Sequence, residues 1–481
     1  MKNINSWQDI NWSTIESTIF YLQLRIYKAA SNKEYDKMYK LQKLLISSSY
    51  AKYFAVRKVI QDNKETNTSG VDKYVLTTPK EKFILANKLK VDGKSSPVRK
   101  IYIKYPNGKQ RPLGIPTIKD RAKQTLVYLA LSPQWESEFE TTSYGFRPRR
   151  SIQDAIQNVF LGISKKQNWV LDADISKCFD KINHQYLLEK CNTYPELQKQ
   201  IKAWLKAGIL DGNDCAFSEL GTPQGGVISP LLINIALHGL RKELDAYIYT
   251  LGGHHLTNRQ ALTYIRYADD FVLMYPDKQV LLQLRTITEE FLKPIGLKLN
   301  SEKTRLVHTF KAEESAPGFT FLGFDVIQKS RREALGRITI KRKTKQKFIT
   351  LVTPSKEGVR KHKLKLRTII RRYKGSSQER LIQVLNPIIY GWALAKRSQV
   401  SSKTFQVLDA YLWLHLWKWA RKRHPKMSKI QLKEMYWHQV EKQNWVYGIK
   451  KNDKVIIKLQ LHSKIKIQRH TRVQETKSPF N

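Results

Sequence analysis

Two short stretches of this chain place carboxylates at the ends of strand-forming segments. Leu262–Tyr275 carries apolar and aromatic residues on both sides of Asp269 and Asp270, which predicts a β-hairpin with acids at its turn. Trp169–Asp180 contains an apolar strand that ends at Asp174. Carboxylates at neighbouring strand ends cannot all ionise close together without a cation between them. The three acids therefore predict a site for two Mg²⁺ ions, which take oxygen ligands and, about 4 Å apart, clamp the attacking and leaving oxygens of a phosphoryl transfer.

Neither stretch decides the chemistry alone, because Asp favours turns and an isolated Asp-Asp pair also fits a solvated hairpin tip. Its order among other motifs is more informative. The five motifs are D-A-D-I-S-K-C-F-D at 172–180, G-T-P-Q-G-G-V-I-S-P at 221–230, Y-A-D-D at 267–270, L-N-S-E-K-T at 299–304 and F-L-G-F at 321–324. This order resembles the palm of a reverse transcriptase, and more narrowly a group II intron-encoded reverse transcriptase/maturase, over nearly the whole chain.

The resemblance implies an α+β right-hand polymerase, with fingers and palm built on an antiparallel sheet and followed by an α-helical thumb/maturase domain. The expected domains are an N-terminal helical extension at 1–75, the fingers and palm at 76–330, the thumb/maturase-specific helices at 331–450 and a basic C-terminal tail at 451–481. Residues 12–60 predict helices because apolar residues such as Ile15, Ile19 and Ile26 recur at helical spacing. Residues 240–260 predict a mobile, exposed insertion.

The resemblance also implies a role for individual residues. Asp174, Asp269 and Asp270 are the expected catalytic residues and metal ligands, and Lys303 is expected either to protonate the leaving pyrophosphate or to be a surface lysine. The expected nucleotide-binding residues are Arg99, Lys109, Arg111, Phe179 and Gln224. The expected template and primer contacts are Arg147 and Gly323. Phe179 would exclude a 2′-hydroxyl and so select dNTPs, and Gln224 would order the incoming nucleotide.

Residues 97–117 alternate in a way that predicts a basic β-hairpin around the turn P-N-G-K. Arg suits bidentate contacts with phosphate, so this hairpin could fold over a triphosphate, although a solvated sheet face also fits. The family usually has a lysine one place later than Lys104, where this chain has Tyr105. A shift of one residue in a strand moves a side chain to the other face. Lys104 is therefore not among the expected triphosphate ligands.

The charge balance is the strongest compositional signal. The 481 residues include 86 Lys and Arg against 41 Asp and Glu, a net charge of +45. Such an excess implies a polyanionic partner, and the absence of a long uncharged apolar run argues against a membrane span. The three cysteines, Cys178, Cys191 and Cys215, form no C-x-x-C pair, so a structural zinc site is not expected. The first residues predict neither a signal nor a transit peptide, which favours the bacterial cytoplasm or an organelle that encodes the protein.

The C-terminal third predicts basic helices with interleaved aromatic residues. In Thr404–Arg423, one apolar stripe is expected to contain Leu408, Leu412, His415 and Trp419, while the basic end faces outward. Aromatic stripes are more often core than nucleic-acid platforms, but this region resembles the maturase-specific thumb. The tail from residue 450 predicts a small basic sheet, and nothing in it resembles the Cys-rich endonuclease domain of many relatives.

The sequence thus predicts an RNA-directed DNA polymerase that binds its host group II intron RNA and promotes splicing and intron mobility. Its expected partners are that intron RNA, an RNA template, a DNA primer or target and dNTPs, and a homodimer stays open. One alternative is an RNA-binding splicing maturase whose polymerase is dispensable. Another is a reverse transcriptase of a defence or diversity-generating system.

Overall fold

The computed structural model describes most of the chain as two compact units. The described residues are 6–63, 68–104, 108, 110–211, 214–216, 221–222, 225–313, 316–331, 347–440, 443–451, 454–473 and 478–480. Unit 1 comprises Met1–Ser151, Leu171–Arg305 and Val473–Asn481, and unit 2 comprises Ile152–Val170 and Leu306–Arg472. No helix among these residues is long and apolar enough to cross a membrane.

The N-terminal part of unit 1 is helical, as the spacing of its apolar residues predicts. It contains α1 (Trp12–Ser31), α2 (Tyr35–Ser47), α3 (Ser49–Ile60), α4 (Pro79–Lys88) and α5 (Ile118–Glu138). The side chain of Asn11 caps α1 by accepting a hydrogen bond from the Thr14 amide. Ile15, Ile19 and Ile26 are buried in one core with Leu126 of α5. The first helices therefore support α5, which follows the hairpin at 98–115 and precedes the remaining strands of the unit.

Eight strands among the described residues form two four-stranded sheets. The strands are β1 (Val98–Lys104), β2 (Gln110–Ile115), β3 (Trp169–Asp174), β4 (Ile209–Asp211), β5 (Asp214–Ala216), β6 (Thr263–Tyr267), β7 (Asp270–Tyr275) and β8 (Arg305–His308). The sheet orders are β2-β1-β4-β5 and β6-β7-β3-β8. The strands β6 and β7 form an antiparallel hairpin, and β1 and β2 form another. The second sheet places the end of β3 beside the β6–β7 turn.

Helices fill the connections between these strands. They are α6 (Ile152–Ile163), α7 (Cys178–Lys181), α8 (His184–Lys190), α9 (Pro195–Leu205), α10 (Ser229–Ala236), α11 (Leu240–Thr250), α12 (His255–Ala261) and α13 (Lys278–Leu292). The expectation of a mobile insertion at 240–260 was wrong in part, because α11 and α12 occupy most of it. Leu240, Leu244 and Ile248 of α11 are buried at helical spacing. His254 and His255, between and at the start of these helices, are exposed as expected.

Unit 2 combines two three-stranded sheets with the long basic helices. Its further elements are β9 (Phe319–Phe321), β10 (Phe324–Ser330), β11 (Phe348–Pro354), α14 (Lys356–Arg372), α15 (Gln378–Lys396), α16 (Ser402–Arg423), α17 (Lys429–Tyr436), β12 (Trp437–Val440), β13 (Gln443–Lys451) and β14 (Lys454–Lys458). The sheet orders are β11-β10-β9 and β12-β13-β14. The strand β13 crosses residue 450, so the small sheet begins before the predicted tail. The α+β fold class is confirmed, and the helical thumb region also contains a sheet.

The long helix α16 buries a slightly different stripe from the predicted one. Leu408, Leu412, Leu416 and Trp419 are buried, whereas His415 is only half-buried. Leu412 and Leu416, four and eight positions after Leu408, lie on the same face of the helix as Leu408, and His415 lies at the border of that face. His415 therefore faces the solvent-accessible side of the helix rather than the core.

Candidate active site

The predicted hairpin tip is a two-residue turn. Tyr267 and Asp270 are the last paired residues of β6 and β7, so Ala268 and Asp269 form the turn itself. Ala268 has a φ of 59°, a left-handed conformation that is uncommon for residues other than glycine. The turn thus holds both acids in a fixed backbone geometry at one end of the sheet.

Asp174 reaches the same place from β3. The Ile175 amide donates a hydrogen bond to the Asp269 carbonyl at 3.2 Å, which links the end of β3 to the hairpin turn. The carboxyls of Asp174 and Asp269, together with burial, raise the pKa of Asp270 to about 7, burial being the largest cause. The structure therefore brings the three predicted carboxylates together, and their charges disfavour one another.

Lys303 supplies a positive charge at this cluster. Its ammonium donates a hydrogen bond to Asp174 Oδ2 at 2.7 Å. The hydrogen bond to Asp174 raises the pKa of Lys303, and the charges of all three carboxylates act in the same direction. Asn300 also donates to Asp174 Oδ2, at 3.3 Å. The structure thus places the Lys303 ammonium beside the three carboxylates, and its role as a general acid stays a prediction.

The chemistry of the donor set fits divalent cations. The three clustered carboxylates offer only oxygen donors, which are the ligands that Mg²⁺ prefers. In the part of the chain that the structure describes, no three His, Cys, Asp or Glu side chains are already arranged to hold one metal ion. Burial and the charges of Asp269 and Asp174 oppose ionisation of Asp270, and a bound divalent cation would offset that repulsion.

Buried residues that the sequence did not single out support the hairpin turn. The Arg266 guanidinium is almost fully buried and donates to Asn234 Oδ1 at 3.0 Å and to the Ala268 carbonyl at 3.3 Å. Asn234 in turn donates to the Gly145 carbonyl at 2.8 Å. A Cβ atom on Gly145 would collide with the backbone nitrogen of Ala268. Glycine is therefore required at 145, because this loop contacts the turn backbone to backbone.

The glycine-rich loop lies against two other predicted elements. The Thr222 amide donates to the Phe179 carbonyl, and a Cβ atom on Gly221 would collide with the same carbonyl. A Cβ atom on Gly225 would collide with the Gly114 carbonyl of β2. This loop therefore bridges the turn that carries Phe179 and the fingers hairpin. Gln224, between these contacts, lies outside the described residues.

The register of the fingers hairpin places its basic residues on defined faces. Positions 99 and 103 are four residues apart in β1 and therefore lie on the same face of the strand. Ile103 is paired with position 111 of β2, so the two arginine positions share that face of the sheet. Position 104 lies on the opposite face, as the shift in the sequence predicts. The Arg99 Nε atom is buried and has no hydrogen-bond partner among the described residues. Lys109 and the side chain of Arg111 lie outside the described part of the chain.

Arg147 does not have the exposure that a template contact requires. Its guanidinium forms a buried ion pair with Glu136, with Nη2 2.9 Å from Oε2 and side-chain exposures of 3% and 2%. It also donates to the carbonyls of Glu140 and Ser143, each at 2.7 Å. These partners occupy the guanidinium, so the predicted phosphate contact is not supported and Arg147 instead anchors the loop that carries Gly145.

Comparisons with known proteins agree with this geometry. Residues 98–326 match the model for reverse transcriptase (RNA-dependent DNA polymerase), residues 7–89 match the N-terminal domain of reverse transcriptase, and residues 359–437 match the group II intron, maturase-specific domain. Protein YkfC of Escherichia coli K12 is 32% identical over 362 residues, which cover 66% of this chain and 92% of that protein.

This chain belongs to the group II intron-encoded reverse transcriptase/maturase family. The group II intron-encoded protein LtrA of Lactococcus lactis is 28% identical over 375 residues, which cover 64% of this chain and 60% of LtrA. The alignment thus leaves more than a third of LtrA unmatched. Maturase-like protein 1 of Euglena gracilis is 27% identical over 334 residues, covering 67% of this chain and 65% of that protein.

In this reverse transcriptase, Gly323 lies at the turn between β9 and β10. Leu322 and Gly323 have φ values of 49° and 77°, which is the geometry of the tight turns that join two antiparallel strands. The Gly323 carbonyl accepts hydrogen bonds from the Ser355 amide at 3.0 Å and from Lys396 Nζ at 2.8 Å. The turn predicted to contact the primer is therefore fixed by residues of the thumb region.

Proposed function

We propose that this reverse transcriptase extends a DNA primer on an RNA template at Asp174, Asp269 and Asp270. The observation that carries the proposal is the shared position of these carboxylates at the end of β3 and the β6–β7 turn, where burial and the neighbouring carboxylates raise the pKa of Asp270. Two Mg²⁺ ions held there would lower the pKa of the primer 3′-hydroxyl and neutralise charge on the triphosphate.

The other residues of the site have roles that follow from their positions. The Lys303 ammonium, hydrogen-bonded to Asp174, would deliver a proton or a positive charge to the leaving pyrophosphate. Arg99 and Arg111 share the face of the fingers that would contact the triphosphate. Phe179 is half-buried beside the glycine-rich loop and would occupy the space of a 2′-hydroxyl. Gln224 and Lys109 remain proposed nucleotide contacts.

The maturase role is proposed for the basic helices of the thumb region. The match of residues 359–437 to the maturase-specific domain and the net charge of +45 both favour binding of intron RNA, and through it splicing and mobility. The same match disfavours a defence or diversity-generating reverse transcriptase. The following experiment separates polymerase activity from the binding of intron RNA.

Asp269→Asn and Asp174→Asn separate the two activities. Each substitution removes a carboxylate charge from the metal site, so primer extension should fall by at least 10³-fold, while filter binding of intron RNA should change less than twofold. Asp277→Asn is the matched control, because Asp277 caps α13 away from the cluster and loses the same charge. Extension by either site variant at the control rate would disprove the polymerase assignment. Loss of RNA binding in the site variants alone would disprove the separation.

A further inference from the structure

A basic groove lies between α14 and α16 within unit 2. Its volume is about 610 Å³, and six cations line it: Arg367, Arg371, Lys374, Lys418, Lys422 and Arg423. Arg367 and Arg371 are four residues apart on α14, and Lys418 and Lys422 are four residues apart on α16. Each pair therefore lies along one face of its helix, and the two rows face the same groove.

The groove carries an uncompensated positive charge. Among the described residues, no carboxylate forms an ion pair with Arg367, Arg371, Lys374, Lys418 or Lys422. Like charges four residues apart destabilise a helix by a few tenths of a kcal/mol per pair, so this arrangement is unfavourable without an anion.

The pKa of His415, which lies in the groove, is also affected by these positive charges. His415 lines the groove, and its pKa is lowered by burial and then by the charges of Lys418, Arg367 and Arg371. The positive potential is thus strong enough to oppose protonation of a neighbouring side chain. A polyanion in the groove would reverse that effect.

Aromatic packing gives the groove a firm base. The Trp419 indole lines it and donates from Nε1 to the Tyr373 carbonyl at 3.1 Å, which joins α16 to the end of α14. The Arg423 guanidinium lies over the Trp419 ring at 5.2 Å. The cations are therefore presented on a fixed surface rather than on a loop.

We propose that this groove binds consecutive phosphates of the intron RNA. Arg367 and Arg371 are about 6 Å apart along α14 at 1.5 Å per residue, which spans about two phosphates along one strand. Its position inside the region that matches the maturase-specific domain favours RNA as the source of these phosphates. The inference rests on the proposed maturase function and names the surface that would perform it.

The test is the salt dependence of RNA binding by Arg367→Gln/Arg371→Gln. Loss of two phosphate contacts should weaken binding at least tenfold and reduce the slope of log K against log salt by about 1.4 to 1.8. The double variant Lys418→Gln/Lys422→Gln should give the same result from the other helix. Lys365→Gln/Arg372→Gln is the control, since it removes equal charge from α14 at exposed residues that do not line the groove.

The outcomes separate the inference from the function beneath it. Failure of the unaltered protein to bind intron RNA would overturn the proposed maturase role. Normal RNA binding with equal slopes for groove and control variants would overturn the groove assignment. Weakened binding of an RNA template–DNA primer hybrid, with intron RNA binding retained, would show that the phosphates belong to the polymerase substrate instead. Circular dichroism of each variant identifies any that fail to fold, and the variant of the other helix then decides.

A second, independent observation concerns Lys396, the last residue of α15. Its ammonium donates to the Gly323 carbonyl and lies 3.7 Å from the centroid of the Phe324 ring. A Cβ atom on Gly323 would approach within 3.0 Å of this Nζ atom. Burial lowers the pKa of Lys396 to about 8, which Asp325 partly opposes. A half-desolvated ammonium with a carbonyl and a ring as partners is costly compared with an apolar side chain.

We infer that Lys396 is a positioning residue for the turn that contacts the primer. It connects the end of a thumb helix to the backbone of Gly323, so the position of α15 sets the position of the turn. This inference depends on the proposed primer contact of Gly323. The Ser355 amide holds the same carbonyl from the start of α14, so loss of Lys396 should loosen the turn without unfolding it.

Steady-state extension by Lys396→Met and Lys396→Arg tests this role. Lys396→Met should raise KM for the primer–template about tenfold and leave kcat within threefold, whereas Lys396→Arg should recover most of the loss because it keeps a donor and a charge. Lys403→Met, an exposed lysine at the start of α16, is the control. An unchanged KM in Lys396→Met would overturn the inference. A fall in kcat and thermal stability that Lys396→Arg does not rescue would show a structural role only. No extension by the unaltered protein would instead reject the polymerase function.

Discussion

The Lys303 ammonium and the Asp174 carboxylate form an ion pair of 2.7 Å at the centre of the carboxylate cluster. Lys303 is more than half exposed, so the pair adds little to stability, and its position is more telling than its energy. The pair joins the segment that follows α13 to the end of β3. With metal ions bound to the carboxylates, Lys303 would be free to contact the leaving pyrophosphate, as proposed above.

Lys303→Met should lower kcat for nucleotide addition by about 10² to 10⁴-fold, the usual contribution of a general acid. Lys303→Arg keeps the charge but does not release a proton, so kcat should fall while KM for dNTP stays within twofold. Pre-steady-state extension with each variant measures both quantities. A near-normal kcat in Lys303→Arg with a reduced kcat in Lys303→Met would mean that Lys303 only balances charge, and near-normal values in both variants would exclude any role in the chemical step.

Phe179→Val should admit ribonucleotides. Phe179 is half-buried in the short helix after Asp174, and truncation of its ring opens space where the 2′-position of the sugar would lie. Competition between dNTP and rNTP on one template should show a loss of discrimination of at least tenfold. Phe310→Val, a half-buried phenylalanine outside this helix, is the control. Unchanged sugar selection in Phe179→Val would limit this ring to core packing.

Arg147→Met should destabilise unit 1 by about 3 to 5 kcal/mol, because it leaves the Glu136 carboxylate buried without its partner. Replacing both residues, as Arg147→Met/Glu136→Met, should recover most of that loss. Urea unfolding of the two variants gives the comparison. A single variant with normal stability but weakened template affinity would restore the phosphate contact predicted from the sequence.

The free energy of unfolding of unit 2 should decrease in mild acid, because the pKa of His362 is lowered in the folded chain. Burial, with the nearby charges of His462 and Lys365, lowers the pKa of His362 to about 3, and its ring stacks on Trp392. In the unfolded chain His362 binds a proton as the pH falls below about 6.5, whereas in the folded chain it binds one only near pH 3. Stability is therefore retained above pH 6.5 and falls as the pH decreases toward 3, by about 1.4 kcal/mol per pH unit.

Comparison with His362→Gln isolates this contribution. Urea unfolding followed by tryptophan fluorescence at pH 7.5 and 5 should show a difference in pH dependence of about 2 kcal/mol between the two proteins. The exposed His254 provides the control variant His254→Gln, which should follow the unaltered protein. Parallel pH dependence in His362→Gln and the unaltered protein would contradict the assignment.

Local sequence patterns predicted the parts of the site that are local. Strand periodicity and terminal acids identified Asp174 and the hairpin turn. The partners of Arg147 and Arg266 were not predictable in this way, because Glu136 and Asn234 lie on other elements and only tertiary folding brings them near. A buried arginine and a template-binding arginine look alike in a single sequence.

The same limit applies to the thumb region. An apolar stripe was predicted for α16, but His415 was assigned to it in place of Leu416, one position away. The basic groove was also not predicted from the sequence, because two of its cations, Arg367 and Arg371, belong to a different helix, α14. A row of lysines and arginines on one helix indicates a solvated face, and only the facing row shows that the charges converge.

The contact between Gly145 and the left-handed Ala268 sets a boundary on how this polymerase can be altered by laboratory evolution. A left-handed backbone costs a β-carbon residue about 1 to 2 kcal/mol, and a branched side chain more. Libraries that randomise both positions should therefore return glycine at 145 almost without exception, and only Gly, Asn or Ala at 268. Changes in fidelity or substrate range would have to come from neighbouring positions, because the smallest residues of the site tolerate the least variation.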